Sequence, residues 1–354
     1  MTDADWGLLS DRAMVAAGVV YFLALITYLI EWASLRKVDV DEAVVADTSA
    51  GAASADASEA RGGVAVATGG GTPSGSSGAD VEGPGARVEF LGRLGLIFTI
   101  FAALVHFVGV TARGLAADPN RVPWGNMYEF TISGTLVLTL MYLVLLRRYK
   151  LDWVGPLVVG FVLPVLMAAM LILHDEVAPL PEALDSYWLV IHVVSAIIAT
   201  GAFSLAGLLS IMYLVKARTG ERTTGAMARV PSLATLDRVS YRIHAFAFPV
   251  WTFAVLITGP IWAKEAWSSY WNWDPKEVWA FITWVVYAAY LHARATAGWK
   301  GRNAALLAIV GLLTLWFNFI GINYFSTSSQ HSYAGGVEVV QVEPVAPLVT
   351  PAAT

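Results

Sequence analysis

Residues 259–294, GPIWAKEAWSSYWNWDPKEVWAFITWVVYAAYLHAR, dominate the interpretation of this chain. Asp274 is a favourable N-cap, Pro275 suits the first helical position, and Glu277 stands where it completes a capping box. The pattern predicts a helix that begins after Asp274 and continues through an apolar run to His292. Seven of the fourteen tryptophans lie in or beside the stretch: Trp262, Trp267, Trp271, Trp273, Trp279, Trp284 and Trp299. This density indicates a surface for a large flat ligand rather than a packed core.

An aromatic belt at a membrane interface is the alternative explanation of these tryptophans, because Trp and Tyr concentrate at that depth. Belts scatter a few aromatic residues over many helix ends, whereas these residues crowd into one loop. The loop also carries five charged residues: Lys264, Glu265, Asp274, Lys276 and Glu277. It is therefore interpreted as a mixed polar and aromatic surface.

The composition predicts an integral membrane protein. Hydrophobic residues make up 57% of the chain and charged residues 14%, with a mean hydropathy of +0.61. Several separate apolar runs of about 20 residues are long enough to cross roughly 30 Å of hydrocarbon. The chain has no cysteine, which excludes disulfides, thiolate metal sites and cysteine nucleophiles. Any thiol in its chemistry must come from another molecule.

The apolar runs predict an all-α fold, a polytopic bundle of about eight transmembrane helices. The expected spans are 13–33, 91–111, 130–146, 154–173, 188–215, 243–263, 276–295 and 303–323. We expect an N-terminal transmembrane helix at 1–35 that is retained because the N-terminus lacks signal-peptide features. A low-complexity segment at 36–88 is expected to be a flexible cytoplasmic linker. The functional core is expected at 89–335, with the tryptophan loop at 259–279 and a disordered tail at 336–354.

Lysine and arginine residues predict the orientation. Of the 22 basic residues, 17 fall in one alternating set of loops and only Arg12, Arg113, Arg121, Lys264 and Lys276 on the opposite side. Cytoplasmic loops carry the excess of Lys and Arg, so the richer set is expected to be cytoplasmic. Both termini and the tryptophan loop are then expected outside.

Two histidines on the predicted outer side flank the tryptophan loop in sequence: His192 at the start of span five and His331 just past the last span. A lone histidine at a helix end is usually an ordinary interfacial residue. However, neutral imidazole is a good iron ligand, and tryptophan faces supply the apolar walls that a porphyrin needs. His292 lies 18 residues beyond Asp274, about 27 Å deeper along a helix, near the cytoplasmic end.

The stretch TGPIWAKEAWSSYWNWDPKEVWAFITWVVYAAYLHAR resembles the tryptophan-rich "WWD" signature of the heme-handling superfamily. PLPEALDSYWLVIHV, LDRVSYRIHAFAFP, PWGNMYEF and the outer HSYAGG are similar to segments of its CcsA/ResC branch, the System II cytochrome c maturation proteins, called CcsB in actinobacteria. The resemblance covers about residues 91–335.

This resemblance implies a cytochrome c heme lyase that works with a ResB-type membrane protein. Such a protein carries heme b to the outer face of a bacterial plasma membrane and joins its vinyl groups to the CXXCH thiols of apocytochrome c. Besides that partner and substrate, only membrane lipid is expected to be bound, and no nucleic acid. By resemblance the catalytic residues are His192, His331 and Asp274, and His192, His331 and His292 are axial iron ligands. The implied heme-binding residues are Trp262, Trp267, Trp271, Trp273, Asp274, Trp279 and His292.

Three other functions remain open at this point. The first is a System I-like heme-loading protein that passes heme to a chaperone and needs no ResB-type partner. The second is a heme transporter whose tryptophan loop is only an exit site. The third is a non-catalytic membrane subunit that binds heme or quinone permanently.

Overall fold

The computed structural model describes residues 1–59, 84–179, 186–220, 225–326 and 329, and within these residues it contains helices and no strand. The α-helices are α1 (Asp3–Glu59), α2 (Pro84–Leu115), α3 (Met127–Tyr149), α4 (Gly155–Ile172), α5 (Tyr187–Thr219), α6 (Ala226–Arg229), α7 (Leu233–Thr252), α8 (Gly259–Trp267), α9 (Pro275–Ala295), α10 (Arg302–Trp316) and α11 (Ile322–Phe325). A 3₁₀ turn (Asp152–Val154) precedes α4. Two π-helical segments, Phe253–Thr258 and Phe317–Gly321, join α7 to α8 and α10 to α11.

Seven stretches of the described residues are long and apolar enough to cross a membrane: Asp3–Leu35, Gly85–Leu115, Met127–Tyr149, Asp152–Ile172, Tyr187–Thr219, Leu233–Trp267 and Arg302–Phe325. The all-helical, polytopic architecture is thereby confirmed. Helix α9 occupies the position of the predicted span 276–295 and has 21 residues. Its tryptophans and tyrosines, with His292 and Arg294 near its end, lower its hydropathy, so it is not among the seven. An eighth span stays a prediction.

The contacts at one end of the bundle join the ends of alternating helices. Asp11 near the start of α1 accepts from His174 just past α4 at 3.1 Å, and Arg113 near the end of α2 pairs with Glu129 near the start of α3 at 3.0 Å. At the opposite end, Glu31 of α1 pairs with α6 through Arg229. The helices therefore alternate in direction as the basic residues predict. Which end of the bundle faces the cytoplasm stays a prediction.

Two helices extend into the segment that was expected to be a linker, 36–88. Helix α1 continues to Glu59 and α2 begins at Pro84. Residues 38–59 include seven alanines, and Ala has the highest intrinsic helix propensity, which accounts for the helical backbone of this segment. Residues 60–83 and the predicted tail, 336–354, lie outside the described residues.

Helix α5 lies between other helices of the bundle and contacts α3, α7 and α10. Phe203 of α5 stacks on Tyr287 of α9 with ring centroids 3.7 Å apart and planes 4° from parallel. Trp251 of α7 donates its indole N–H to the Ala280 carbonyl of α9 at 3.3 Å. These contacts fix α9, which begins directly after the tryptophan loop, against the middle of α5 and the end of α7.

Candidate functional site

A large cavity opens beside the tryptophan loop and extends inward between α3, α4, α5, α7 and α10. The space inside it, including the part open to solvent, is about 1200 Å³. The residues at its mouth are His192, Gly259, Pro260, Trp262, Ala263, Trp267, Tyr270, Trp271, Lys276 and Glu277. The cavity therefore brings the first predicted iron ligand together with part of the tryptophan loop, from segments about 70 residues apart in sequence.

His192 is oriented by the backbone of the first π-helix. Its Nδ1 lies 2.9 Å from the carbonyl oxygen of Ala254. A carbonyl only accepts, so the ring donates from Nδ1 and carries its lone pair on Nε2. Metal-binding histidines are typically held in this way, with the second nitrogen bound to a backbone carbonyl or carboxylate. The imidazole thus has the tautomer that an iron ligand requires.

Gly259 lets the imidazole approach the π-helix. Its N–H bonds to the Ala254 carbonyl, the same oxygen that His192 contacts. A Cβ added at Gly259 would lie 3.1 Å from that oxygen and 3.3 Å from both Cε1 and Nδ1 of His192. Because those distances are shorter than ordinary van der Waals contact, only glycine fits here without displacing the ring.

The inner tryptophans form a wall against this histidine. Trp262 stacks on the imidazole with centroids 5.9 Å apart and planes 13° from parallel, and only 2% of its surface is exposed. Trp267 meets Trp262 edge-to-face at 4.8 Å. Both tryptophans pack with apolar residues of α5, including Leu189 and Val193. The wall is rigid and keeps water away from one side of His192.

Trp271 and Trp273 occupy different surroundings although one residue separates them. Trp271 lines the cavity and meets Trp273 edge-to-face at 6.0 Å. The indole of Trp273 is 74% exposed and its backbone φ is 56°. A bulky residue in the left-handed region is uncommon and costs roughly 1–3 kcal/mol, and such strain clusters at functional sites. The strained turn displays one indole inward and the other on the surface.

Trp279 lies outside the cavity wall. It packs against Phe317 of the second π-helix with centroids 4.2 Å apart, so it joins α9 to the end of α10. Of the five tryptophans predicted to bind a ligand, the cavity therefore brings together Trp262, Trp267 and Trp271, but not Trp273 or Trp279.

Asp274 caps α9 as the sequence predicts. Its side chain accepts from the Lys276 N–H at 2.9 Å, and Glu277 accepts from the Asp274 N–H at 3.2 Å, which completes the capping box. The same carboxylate oxygen of Asp274 accepts from the Ser329 hydroxyl at 2.9 Å. Asp274 thus ties the tryptophan loop to the chain two residues before His331 in sequence. His331 itself lies outside the described residues.

His292 lies near the C-terminal end of α9, far from the cavity mouth. Its side chain is exposed, while its neighbour Arg294 binds Asp237 through both terminal nitrogens, at 2.6 and 3.0 Å. His244, the other histidine at this depth, is fully buried, bonds through Nδ1 to the Ser240 carbonyl at 2.9 Å and faces the bundle interior. The two histidines therefore do not form a pair.

A buried ion cluster lies at the start of α3. Glu129, in the PWGNMYEF segment, is fully buried and accepts from Arg113 at 3.0 Å and from Arg121 at 2.6 Å. Arg113 also donates to the Asp175 carbonyl and Arg121 to that of Ala178. The cluster fixes the connections after α2 and α4 to the start of α3.

Sequence reasoning missed several residues of the cavity wall. Phe130, Phe161, Trp251, Trp316 and Phe319 line the cavity from five other helical segments. Each lies in an ordinary apolar run, and no local pattern distinguishes a cavity-facing aromatic residue from a core or lipid-facing one. The two π-helices that flank the cavity likewise have no recognised sequence signal.

The residues present fit heme as a cargo. The site offers one imidazole whose Nδ1 is held by a backbone carbonyl, and aromatic walls around an open cavity, and it contains no thiolate because the chain has no cysteine. Within the described residues, no group of three or more His, Asp or Glu side chains could hold a bare metal ion. A single histidine suits an iron that is already bound by the four nitrogens of a porphyrin and needs only an axial ligand from the protein.

Comparisons with known proteins identify the family of the chain. Residues 124–329 match the family of cytochrome c assembly proteins. The cytochrome c biogenesis protein CcsA of Synechococcus sp. (strain JA-2-3B'a(2-13)) is 32% identical over 307 residues, covering 70% of this chain and 87% of that protein. CcsA of Porphyra purpurea is 32% identical over 287 residues, 70% of this chain and 89% of the relative, and CcsA of Chlamydomonas reinhardtii is 37% identical over 220 residues, 60% and 61%. The chain therefore belongs to the cytochrome c assembly family, in its CcsA/ResC branch, and is a membrane protein of cytochrome c biogenesis.

Proposed function

We propose that this chain holds heme b on His192 at the mouth of the cavity and presents it to apocytochrome c for covalent attachment, in complex with a ResB-type partner. One observation carries the proposal. The His192 imidazole is bonded through Nδ1 to the Ala254 carbonyl and lies in the wall of an aromatic cavity beside Trp262. A histidine held this way at a large apolar cavity is suited to axial ligation of a porphyrin iron.

The chain's own contribution is positioning. His192 binds the iron, Trp262 and Trp267 exclude water from one side, and Trp271 bounds the opening through which the substrate arrives. In each attachment a CXXCH thiol adds across one vinyl double bond: a carbon–sulfur bond forms and the proton goes to the other vinyl carbon. Holding the thiol and the vinyl group next to each other in a fixed orientation supplies much of the rate enhancement. The absence of cysteine in the chain means that it cannot attack its own cargo.

We propose His331 as the second axial ligand, on the far side of the iron from His192. The hydrogen bond from Ser329 to Asp274 supports this assignment, because it fastens the segment next to His331 to the tryptophan loop. Asp274 is then a positioning residue with two tasks: it caps α9 and it holds this segment. The substrate's own histidine would displace one of the two ligands as the product leaves.

His292 is proposed as a ligand of an earlier, inner heme site. It lies 18 residues from Asp274 on one continuous helix, about 27 Å away, so one iron cannot contact both regions. Its side chain is exposed on the bundle surface rather than paired with His244, which leaves room for a histidine of the ResB-type partner. Heme would enter there and move to the outer site.

Co-expression tests this function. The full chain is produced in a bacterium lacking its own System I and System II genes, with and without the ResB-type partner, together with a CXXCH reporter cytochrome. Covalent heme on the reporter, measured by heme stain and mass spectrometry, is expected only when both proteins are present. In the same assay, His174→Ala is the matched control for His192→Ala, because it removes an exposed histidine at the same end of the bundle. Heme transfer to a chaperone without the partner, or no covalent product with it, would contradict the proposal.

A further inference from the structure

The cavity has a deep part that continues inward well beyond His192 along α5. We call this part the inner lobe and define it by Leu138, Phe161, Gly201, Ser204, Trp316 and Asn318. Ser204 follows His192 by twelve residues on the same helix, α5, which places it about 18 Å further in. The inner lobe therefore lies at the depth of the hydrocarbon, which is about 30 Å thick.

Three polar atoms in the inner lobe have no hydrogen-bonding partner among the described residues: Ser204 Oγ, Trp316 Nε1 and Asn318 Oδ1. The Ser204 side chain is 2% exposed and that of Asn318 is 7% exposed. Buried polar groups are nearly always satisfied, because each unsatisfied one costs about 1–3 kcal/mol. Three such atoms around one cavity indicate a ligand that completes their bonds.

The three atoms lie at one depth. Helices α5 and α10 run antiparallel, and a Cβ added at Gly207 would meet the Leu312 side chain at 2.8 Å, which fixes their register. Because Gly207 lies opposite Leu312, Ser204, three residues earlier on α5, lies opposite Leu315, three residues later on α10. Trp316 and Asn318 are one and three residues past Leu315, so they lie within about 5 Å of Ser204 along the helix axis. One small molecule can contact all three side chains.

The chemistry of these groups specifies the ligand. The Trp316 indole only donates, the Asn318 oxygen only accepts, and the Ser204 hydroxyl does both. Ring oxygens that switch between carbonyl and hydroxyl forms satisfy this combination. The aromatic walls, Phe161 and Trp251, suit a flat ring.

Charge excludes the carboxylates of heme from the inner lobe. Among the described residues that line the cavity, the charged side chains are Lys276 and Glu277, and both lie at the mouth. Burying an unpaired carboxylate in the lobe would be very unfavourable. The ligand of the lobe is neutral, and at this depth it reaches the protein from the lipid.

We propose that the inner lobe binds a membrane quinone or its hydroquinone, with ring oxygens bonded to Trp316, Ser204 and Asn318. This inference goes beyond the proposed function, since quinone binding requires neither heme at His192 nor the ResB-type partner. It assigns a second, lipid-soluble ligand to the same cavity, further from the outer face than the heme.

The test uses the full chain in nanodiscs free of quinone, titrated with a decyl-tailed benzoquinone and, separately, with menadione. Bound quinone is measured by extraction and chromatography after gel filtration. The wild-type chain is expected to bind about one molecule of at least one probe saturably, as expected for a single preformed site. Ser204→Ala and Trp316→Phe are each expected to weaken binding about fivefold to tenfold, the effect of one lost hydrogen bond.

Two matched variants control for general effects. Ser210→Ala removes a hydroxyl of α5 that is already bonded to the Ala206 carbonyl, and Trp299→Phe changes an exposed indole. Both should bind quinone as the wild type does, and thermal unfolding verifies that every variant is folded. If Ser204→Ala or Trp316→Phe fails to fold, Asn318→Leu, of similar size, replaces it and should weaken binding equally. The proposal would be overturned if neither probe binds the wild-type chain, which is the result expected if only water fills the lobe. It would also be overturned if the folded variants of the lobe bind quinone with wild-type affinity.

Discussion

Gly259→Ala should weaken heme binding at the outer site much more than it changes the stability of the fold. The added Cβ would lie 3.3 Å from Cε1 and Nδ1 of His192, whereas ordinary carbon contacts begin at about 3.5 Å. The Ala254 carbonyl on the other side is fixed in the π-helix, so the imidazole has to retreat by about 0.2 Å or more. A ring displaced in this way stretches its 2.9 Å bond to Ala254 and shifts the direction in which its Nε2 meets the iron.

The magnitude follows from the cost of overpacking, about 1–3 kcal/mol per inserted group. A loss of 1.4 kcal/mol corresponds to tenfold weaker binding, so heme bound per chain should fall about tenfold at limiting heme. Alanine is better than glycine inside a helix by up to about 1 kcal/mol, which offsets part of the overpacking cost, so the unfolding temperature should change little. A large loss of heme with a small change in unfolding temperature separates a ligand-positioning effect from general damage.

The assay compares Gly259→Ala with Gly160→Ala in the purified complex. At Gly160 an added Cβ would meet only Leu25, at an ordinary 3.7 Å, so this variant should keep wild-type heme. Heme is measured as the pyridine hemochrome and folding by circular dichroism during heating. Wild-type heme content in Gly259→Ala would show that the close approach of His192 to the π-helix is not needed, and would refute the reasoning.

Three further predictions concern other parts of the site. Trp273→Gly should stabilise the fold by about 1–2 kcal/mol, because glycine accepts the positive φ of 56° without strain, while reporter maturation falls; a lower unfolding temperature would contradict it. His292→Ala should empty heme from both sites whereas His192→Ala should leave the inner heme, as read from the spectra of purified protein; outer heme at wild-type occupancy in His292→Ala would exclude the relay. Glu129→Ala should cost about 3–5 kcal/mol, because two arginines lose their buried partner, whereas Glu89→Ala, at an exposed pair, should cost less than about 1 kcal/mol in chemical unfolding; equal effects would exclude a structural role for the cluster.

Local signals made part of the site predictable. The capping box at Asp274 depends on residues within three positions of each other, and the structure confirms it. The apolar runs depend on length and composition, and a helix occupies each of the eight expected positions. The association of His192 with the tryptophan loop was also anticipated, since both were assigned to one end of the bundle.

Long-range geometry accounts for what the sequence left open. The hydrogen bond from His192 to Ala254 depends on a π-helix about 60 residues later in the chain, and no residue type predicts a π-helix. The density of tryptophans indicated a binding surface but not the direction of each indole. Trp279, inside α9, turns to Phe317 of the second π-helix, whereas the strained turn before α9 directs Trp273 to the surface.

The most direct measurement of the central claim is the spin state of the heme that co-purifies with the complex, by visible absorption and electron paramagnetic resonance. The wild type should show low-spin, six-coordinate iron with two histidine ligands. His192→Ala should lose that signal and the covalent product on the reporter, whereas His174→Ala, at the same end of the bundle, should keep both. An unchanged low-spin spectrum in His192→Ala would show that this histidine does not bind the iron.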